Sequence, residues 1–356
     1  MIFLKKYIFF LITLLCPVTV FATNAKSTIV MDVESGRILY ENNIHEKSLI
    51  ASITKIMTCI ITIENAQLDT FIEVGDEILD IYGTSIYLKK GEILSVEELL
   101  YGMMLRSGND AAMVLATHVF HNYDEFIHKM NEKASSLGMV DTLFYNPHGL
   151  DEETQNYSTA YDMAILSRYA FHNSIYQKII STKKYTTKSN LKSYVWYNRM
   201  SLLNQYDKCI GGKNGYTPKA GKTLVSYAID HSLKLLIVSL NDSDIYSHHR
   251  SLYDSLFKSY RYYAVVQKEN FYIDPSLTTK TLFLKNSFYY PLTLDEIDNV
   301  STLIHIYKEN QIDNVVGKIE IKLDSTTIGE LEIYEKKPKK KKSNDFLKWI
   351  KNLLIR

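Results

Sequence analysis

Cysteine is scarce in this chain of 356 residues, and the apolar run near its start is too short to cross a bilayer comfortably. That run, 7–21, follows Lys5 and Lys6 and ends beside small side chains, a pattern typical of a secretory signal. A spanning helix would need about 20 apolar residues. We therefore predict that residues 1–25 form a signal peptide and that the rest of the protein is exported.

Only three cysteines are present. Cys16 lies inside the predicted signal, and Leu15 stands where a lipoprotein signal has a small residue, which argues against a lipid anchor. Cys59 and Cys209 remain, and two cysteines in an exported protein can form a disulfide. Because Cys59 lies in an apolar helical pattern, we predict a buried and unreactive thiol instead.

The formal net charge is only +1, but it is unevenly distributed. Residues 27–335 contain 29 basic and 39 acidic residues, a net charge of −10, whereas 336–356 contain nine basic residues and one acid. The acidic body argues against nucleic acid as its partner. No internal repeat is present, and the lysine run at 339–342 is the first segment of low complexity.

The basic C-terminal segment, 336–356, also has an amphipathic pattern. Its apolar residues share one helical face, with Lys348 and Lys351 away from it: Phe346, Leu347, Ile350, Leu353 and Leu354. Ten or eleven residues are too few to cross a bilayer, so we predict a membrane-binding tail that lies in the interface. A disordered basic tail is the alternative.

Periodicity predicts an α/β (α+β) body and a smaller second domain. A hairpin is expected over 27–42, helices over 52–65, 124–137 and 159–171, and two strands over 223–228 and 234–240. Ser95 and Glu98 form a capping-box pattern that begins another helix, and the turn at 107–109 separates it from the next. We assign the first domain to 26–265 and a small β-rich domain to 270–335.

A serine three residues before a lysine on a helix places both side chains on one face, where the amine can accept the hydroxyl proton. This spacing alone is weak, since Ser181, Ser189 and Ser255 are also followed by lysine three residues later. The order of motifs along the sequence distinguishes Ser52 and Lys55 from these pairs. Ser52 and Lys55 begin a predicted helix. A Ser-x-Asn turn (Ser107–Asn109) follows, and a Lys-x-Gly run (Lys213–Gly215) comes just before two predicted strands.

With these three motifs the chain resembles the penicillin-recognising serine enzymes, whose pattern is S-x-x-K, S-x-N and K-T-G. The runs around them, 51–58, 107–112, 144–150 and 157–160, are similar to those of low-molecular-mass D-alanyl-D-alanine carboxypeptidases. The resemblance covers about 27–262. It implies a penicillin-recognising fold with an antiparallel sheet and helices, peptidoglycan stem peptides and β-lactams as partners, and no metal or organic cofactor.

The resemblance also implies a role for each motif residue. Ser52 would be the nucleophile and Lys55 its base, Ser107 would relay a proton, and Asn109 would bind Lys55 and the substrate amide. The substrate-binding residues would be Lys213, Asn214, Gly215 and Tyr216, with the N–H groups of Ser52 and Tyr216 as the oxyanion hole. Asn214 departs from the family pattern, which has threonine there.

Three alternatives remain open. A class A β-lactamase is disfavoured because 144–150 lacks the glutamate that activates its deacylating water. Transpeptidation to an amine would use the same chemistry. A catalytically impaired wall-binding or scaffold protein is conceivable because of Asn214.

The histidines are poorer catalytic candidates. His148 lies in a Pro-His-Gly turn, and we interpret it as a structural loop residue. His248, His249 and Arg250 are adjacent but lack the spacing of a metal site, so we predict that they lie at a solvated helix start.

Overall fold

A computed structural model describes residues 25–273, 280–307 and 314–336. The strands are β1 (Ser27–Asp32), β2 (Ile38–Asn42), β3 (Ser48–Leu49), β4 (Phe71–Glu73), β5 (Ile93–Ser95), β6 (Tyr157–Ser158), β7 (Lys184–Lys188), β8 (Ser193–Tyr197), β9 (Cys209–Thr217), β10 (Gly221–Asp230), β11 (Leu233–Leu240), β12 (Arg261–Val266), β13 (Leu282–Leu284), β14 (Phe288–Leu292), β15 (Val300–Ile306), β16 (Val315–Leu323) and β17 (Thr326–Glu335).

The helices are α1 (Lys55–Asn65), α2 (Val96–Arg106), α3 (Asn109–His118), α4 (Tyr123–Ser136), α5 (Ala160–Phe171), α6 (Ser174–Ser181), α7 (Leu202–Gln205) and α8 (Ile245–Ser259). A short 3₁₀ helix, Ala51–Thr54, leads directly into α1. Within the described ranges, no helix is both long and apolar enough to cross a membrane. The predicted signal at 1–25, apart from Ala25, and the tail after Lys336 lie outside the described residues.

A five-stranded antiparallel sheet in the order β2-β1-β11-β10-β9 is the centre of the first domain. Alternate residues of its strands face opposite layers, as the twofold period of a strand requires. Ile29 and Val238 pack with α1–α6 on one face, while Val30 and Ile237 pack with α8 on the other. The predicted α/β class and the antiparallel sheet are confirmed.

Local patterns predicted α1 to α5, whereas α6 and α7 were not predicted. Ser95 accepts a hydrogen bond from the Glu98 N–H, and the Glu98 carboxylate accepts from the Ser95 N–H, so the predicted capping box is present at the start of α2. Cys59 and Cys209 are both free and buried, which confirms the prediction for Cys59. Burial raises the pKa of the Cys59 thiol far above its usual range, which keeps it unreactive.

The β-rich region contains a four-stranded sheet in the order β13-β17-β16-β15. Strand β12 pairs with β14, so residues on both sides of the predicted junction at 265–270 belong to one two-stranded sheet. Arg37 of the first domain donates to the Pro291 carbonyl at 2.6 Å and pairs with Glu296. Its guanidinium also lies 5.3 Å from the ring centroids of Tyr260 and Tyr290, which fixes this junction.

Candidate active site

Ser52 lies in the 3₁₀ turn and is partly exposed, whereas Ala51, Ile53 and Thr54 around it are buried. Ser52 was predicted to begin a helix, and the structure differs only in that the α-helix itself begins at Lys55. Ala51 has a φ of 49°, a left-handed conformation that costs free energy for a residue with a Cβ. The surroundings must hold this turn in place.

Two neighbouring segments hold the Ser52 turn. Thr223 of β10 donates its hydroxyl to the Ile50 carbonyl at 3.0 Å. Gly149 has a φ of +87° and approaches so closely that a Cβ there would lie 1.9 Å from the Ala51 carbonyl oxygen. The loop that contains Gly149 is itself fixed to α1, because Thr58 donates to the Pro147 carbonyl at 2.6 Å. The turn is therefore clamped between a sheet strand and this loop.

Lys55 is fully buried and points its amine at Ser52. Its Nζ donates to Ser52 Oγ at 3.1 Å, to Asn109 Oδ1 at 2.8 Å and to the His148 carbonyl at 2.6 Å. The pKa of Lys55 lies well below its usual range, mainly because the amine is buried and secondly because the ammonium of Lys213 is near. The arrangement favours a neutral amine that can accept a proton from Ser52.

The turn between α2 and α3 brings the second motif to the site. Ser107 ends α2 with a left-handed φ of 63°, and α3 begins at Asn109. Asp110 fixes the segment in front of the turn, because its carboxylate accepts from the N–H groups of Ile86 at 3.1 Å and Leu88 at 3.0 Å. The Asn109 side chain is held at both ends of its amide. Its Oδ1 accepts from Lys55, and its Nδ2 donates to the Tyr82 carbonyl at 2.8 Å.

Lys213 comes from the sheet and is also buried. Its Nζ donates to Ser107 Oγ at 3.1 Å and to the Asn214 carbonyl at 2.6 Å. The pKa of Lys213 is lowered to about 7, mainly because the amine is buried and secondly because of the positive charge of Arg199. Both its charged and its neutral forms are therefore accessible near neutral pH.

Strand β9 runs directly beside Ser52 because Gly215 has no side chain. A Cβ at Gly215 would lie 2.7 Å from the Ser52 nitrogen and 2.6 Å from Thr223 Oγ1. Asn214 is half-buried, and Tyr216 is 65% exposed. The structure thus brings the backbone of Gly215 and the predicted oxyanion-hole residue Ser52 into contact, with Asn214 and Tyr216 on the accessible strand.

Four further residues that sequence reasoning missed support the site. The His148 carbonyl, Asp110, Thr223 and Arg199 each act on a motif residue through the contacts or charges described above. Asp110 follows Asn109 directly, so the second motif itself pointed to it. The other three come from distant segments, and no local pattern indicated them.

The prediction of a solvated helix start at His248–Arg250 was wrong for the two histidines. His249 is fully buried between sheet and helix, where its Nδ1 lies 2.7 Å from Ser226 Oγ and its Nε2 lies 2.9 Å from Ser239 Oγ. His248 Nδ1 lies 2.6 Å from the carboxylate of Asp242. Helix α8 covers one face of the sheet, so its inner residues are buried even though they are polar.

The comparisons with known proteins agree with this geometry. Residues 17–244 match the family model described as D-alanyl-D-alanine carboxypeptidase. The chain belongs to this family. A D-alanyl-D-alanine carboxypeptidase of Bacillus subtilis, DacF, is 33% identical over 223 residues, which are 61% of this chain and 57% of that protein. The match thus spans a little over half of that relative's length.

Solved structures extend the similarity beyond the family match. Penicillin-binding protein 5 from Haemophilus influenzae has a TM-score of 0.74 at 25% identity, over 89% of this chain and 98% of that one. The DD-transpeptidase of Streptomyces K15 has a TM-score of 0.63 at 29% identity, over 68% of this chain and 100% of that one. The predicted penicillin-recognising fold is confirmed.

Proposed function

We propose that this protein is a serine D,D-carboxypeptidase that removes the terminal D-alanine from peptidoglycan stem peptides. The proposal rests chiefly on one observation, the contact at 3.1 Å between the buried Lys55 Nζ and Ser52 Oγ. The amine is desolvated and next to a second cation, so it is suited to accept a proton from the one serine that is accessible beside it.

In the acylation step, Ser52 Oγ attacks the carbonyl of the bond between the two D-alanines while its proton moves to Lys55 Nζ. The new C–O bond forms as the C–N bond breaks. Lys55 Nζ passes that proton on through Ser107, which lies 3.1 Å from Lys213 Nζ, to the leaving amine and is then neutral again. Water next attacks the acyl-enzyme carbonyl and gives a proton to Lys55 Nζ. The C–O bond to Ser52 breaks, Ser52 Oγ takes the proton back from Lys55, and the shortened peptide is released. Transfer to an amine instead of water would make the same site a transpeptidase.

Substrate binding would use the strand and the second motif. Lys213 supplies positive charge for the terminal carboxylate, and Arg199, which acts electrostatically on Lys213, adds to it. Asn109 is fixed by Lys55 and by the Tyr82 carbonyl, so its amide is aligned for the substrate. The N–H groups of Ser52 and Tyr216 would bind the oxyanion, a contribution usually worth several kcal/mol of barrier.

We further propose that the protein acts outside the cytoplasmic membrane, bound to its outer face by the basic segment 336–356. A β-lactam would acylate Ser52, since its ring presents the same kind of amide bond to the nucleophile. The one observation in favour of a catalytically impaired wall-binding protein is Asn214 in the third motif.

The test is the mass of the protein, purified without residues 1–25, before and after benzylpenicillin. We expect a gain equal to the whole antibiotic, because ring opening releases no fragment, and we expect the adduct on Ser52. Ser52→Ala should abolish it, whereas the matched variant Ser181→Ala, which removes another serine followed by lysine, should not. An adduct on Ser181, Ser189 or Ser255 would refute the assignment, and the absence of any adduct would favour the impaired protein.

A further inference from the structure

The hairpin formed by β7 and β8 is basic, although the body of the protein is acidic. No aspartate or glutamate occurs between Asp162 and Asp207, and residues 183–199 within this stretch contain five basic residues. Residues 27–335 as a whole carry a net charge of −10. A local excess of one sign attracts partners of the opposite sign. The charge of the hairpin therefore suits an anionic partner, which the rest of the body would repel.

The positive charge of the hairpin is concentrated on its outer face. Residues directly opposite each other in an antiparallel pair share a face, and Lys184 lies opposite Tyr197 while Lys188 lies opposite Ser193. The outer face consists of six exposed residues, which we call the basic face: Lys184, Thr186, Lys188, Ser193, Val195 and Tyr197. Its charged and hydroxyl side chains all point to solvent and are accessible to a partner.

The inner face of the hairpin holds it against the first domain. Tyr185 stacks on Tyr101 of α2 with 3.8 Å between the ring centroids, and Trp196 is buried beside Tyr185. Tyr194 is also buried and donates its hydroxyl to Glu92 at 2.7 Å. These contacts support the basic face in one conformation, so a partner that binds there loses little free energy to ordering the hairpin.

The lysines of the basic face are not neutralised by neighbouring carboxylates. Glu92 and Glu97, which lie near the hairpin, already pair with other lysines. Across the described ranges, Lys184, Lys188 and the adjoining exposed Lys183 form no ion pair. Like charges close to one another repel, and an anion bound between them removes this repulsion.

The spacing of the lysines favours a polymer over a single small anion. Lys184 and Lys188 are four residues apart on one face of β7, about 13 Å along a strand that rises about 3.3 Å per residue. A single phosphate would contact both ammonium groups only if both side chains bent toward each other, whereas a chain of repeated phosphates can contact each of them separately. The hydroxyls of Thr186 and Ser193 lie on the same face and can donate to phosphate oxygens.

We propose that the basic face binds a linear polymer with repeated phosphate groups outside the membrane. The polymer would lie along β7 and would hold the enzyme in the envelope independently of the C-terminal segment. This inference rests on the proposed location of the protein. It does not depend on the proposed chemistry, because the basic face contains none of the residues assigned to catalysis.

The test measures how fast acetic anhydride modifies each lysine of the protein purified without residues 1–25, with and without long-chain inorganic polyphosphate. At low salt we expect the polymer to slow the acetylation of Lys183, Lys184 and Lys188 about fivefold, and to leave Lys258 and Lys268, which are exposed elsewhere, unchanged. The protection should fall as salt is raised. Inorganic phosphate at the same total phosphate concentration should protect far less. Equal protection by inorganic phosphate, or no protection by the polymer, would refute the proposal.

A pair of matched variants locates the effect. In the double variant Lys184→Gln, Lys188→Gln, polyphosphate should no longer protect Lys183, whereas Lys258→Gln, Lys268→Gln removes the same charge elsewhere and should keep that protection. Both variants should unfold at the native temperature, since exposed side chains are replaced, and both should be acylated by benzylpenicillin like the native protein. Protection of Lys183 that survives in the first variant would overturn the proposal.

Vesicles that contain phosphatidylglycerol distinguish a polymer from a membrane surface. We expect them to protect the lysines at 339–342 and to leave those of the basic face reactive. If vesicles protect the basic face as well as polyphosphate does, that face contacts the membrane and the proposal is wrong. Because acetylation is measured without hydrolysis, this proposal can fail while the carboxypeptidase remains, and a native protein without a benzylpenicillin adduct would contradict only the proposed function.

Discussion

At the scale of single residues, the site contains two buried lysines whose charges oppose each other. Lys213 disfavours the charged form of Lys55, and Arg199 disfavours that of Lys213. The proposed chemistry needs the two lysines in different protonation states. Lys55 must be neutral to act as the base, and Lys213 must be charged to bind the substrate carboxylate.

This requirement predicts a fall in activity on the alkaline side. The pKa of Lys213 is about 7, so its charged form is lost as the pH rises through that value. We expect kcat/KM for a peptide with a free carboxylate to fall about tenfold per pH unit well above pH 7. The same peptide with a C-terminal amide should show a much weaker alkaline fall. A kcat/KM that keeps rising to about pH 9 would contradict the carboxylate role of Lys213.

Asn214 gives a second residue-scale prediction. An asparagine amide can donate to a carboxylate as threonine does, but it is longer and also presents an acceptor oxygen. We expect Asn214→Thr to raise kcat/KM for the free carboxylate by about ten- to a hundredfold if the amide replaces the hydroxyl poorly. The peptide amide should gain far less. Equal gains on both substrates would place the effect in the proton transfer from Ser52 instead.

The sequence specified the reactive groups better than the groups that orient them. The three motifs named Ser52, Lys55, Ser107, Asn109 and Lys213, and the structure joins them in two hydrogen-bonded sets, Lys55 with Ser52 and Asn109, and Lys213 with Ser107. Their roles remain predictions. The His148 carbonyl and Thr223 were missed because backbone oxygens carry no residue signature and because β10 is far from Ser52 in sequence.

At the scale of elements, the loop around Gly149 decides where the Ser52 turn lies. We expect Gly149→Ala to destabilise the protein by about 1–3 kcal/mol, since the new Cβ meets the Ala51 carbonyl oxygen in a left-handed backbone. Displacing this loop also moves the His148 carbonyl away from Lys55, so acylation by penicillin should slow.

Gly138→Ala is the matched control for that variant. Gly138 has a φ of +77°, but a Cβ there meets nothing within 4 Å. It should cost about 1 kcal/mol through backbone strain alone and leave the acylation rate unchanged. Denaturant unfolding and the rate of adduct formation measure the two effects separately. If both variants acylate like the native protein, the loop does not position the site.

Elements with strong local signals were predictable, and those that depend on distant partners were not. The capping box marked the start of α2, and apolar periodicity marked α4 and α5. The hairpin of β7 and β8 was missed. Burial alternates along both strands, but exposed positions of β8 include Val195 and Tyr197, so the sequence does not alternate between apolar and polar residues. The hairpin is anchored by long-range contacts, such as Tyr194 Oη to Glu92 at 2.7 Å.

At the scale of the whole molecule, the charge distribution predicts how the protein is anchored. The body carries −10, and the C-terminal segment from 336 carries +8. Each lysine near an anionic membrane surface adds about 1 kcal/mol of attraction. Truncation after Glu335 should therefore release the protein from membranes and leave penicillin acylation intact. Unchanged partition into the membrane fraction would refute the anchor.

The pairing of β1 with β11 has a consequence for the order in which the chain assembles. Thr28 and Ser239 lie opposite each other in the central sheet, although 211 residues separate them along the chain. The segment that carries Ser52 thus has its sheet partners only after about two thirds of the polypeptide has been made or exported. Contacts of such separation form slowly, because the loop between them must close first. For a chain that is exported as proposed, we expect Ser52 to become reactive only after β9, β10 and β11 have followed it across the membrane, so that acyl transfer would begin outside.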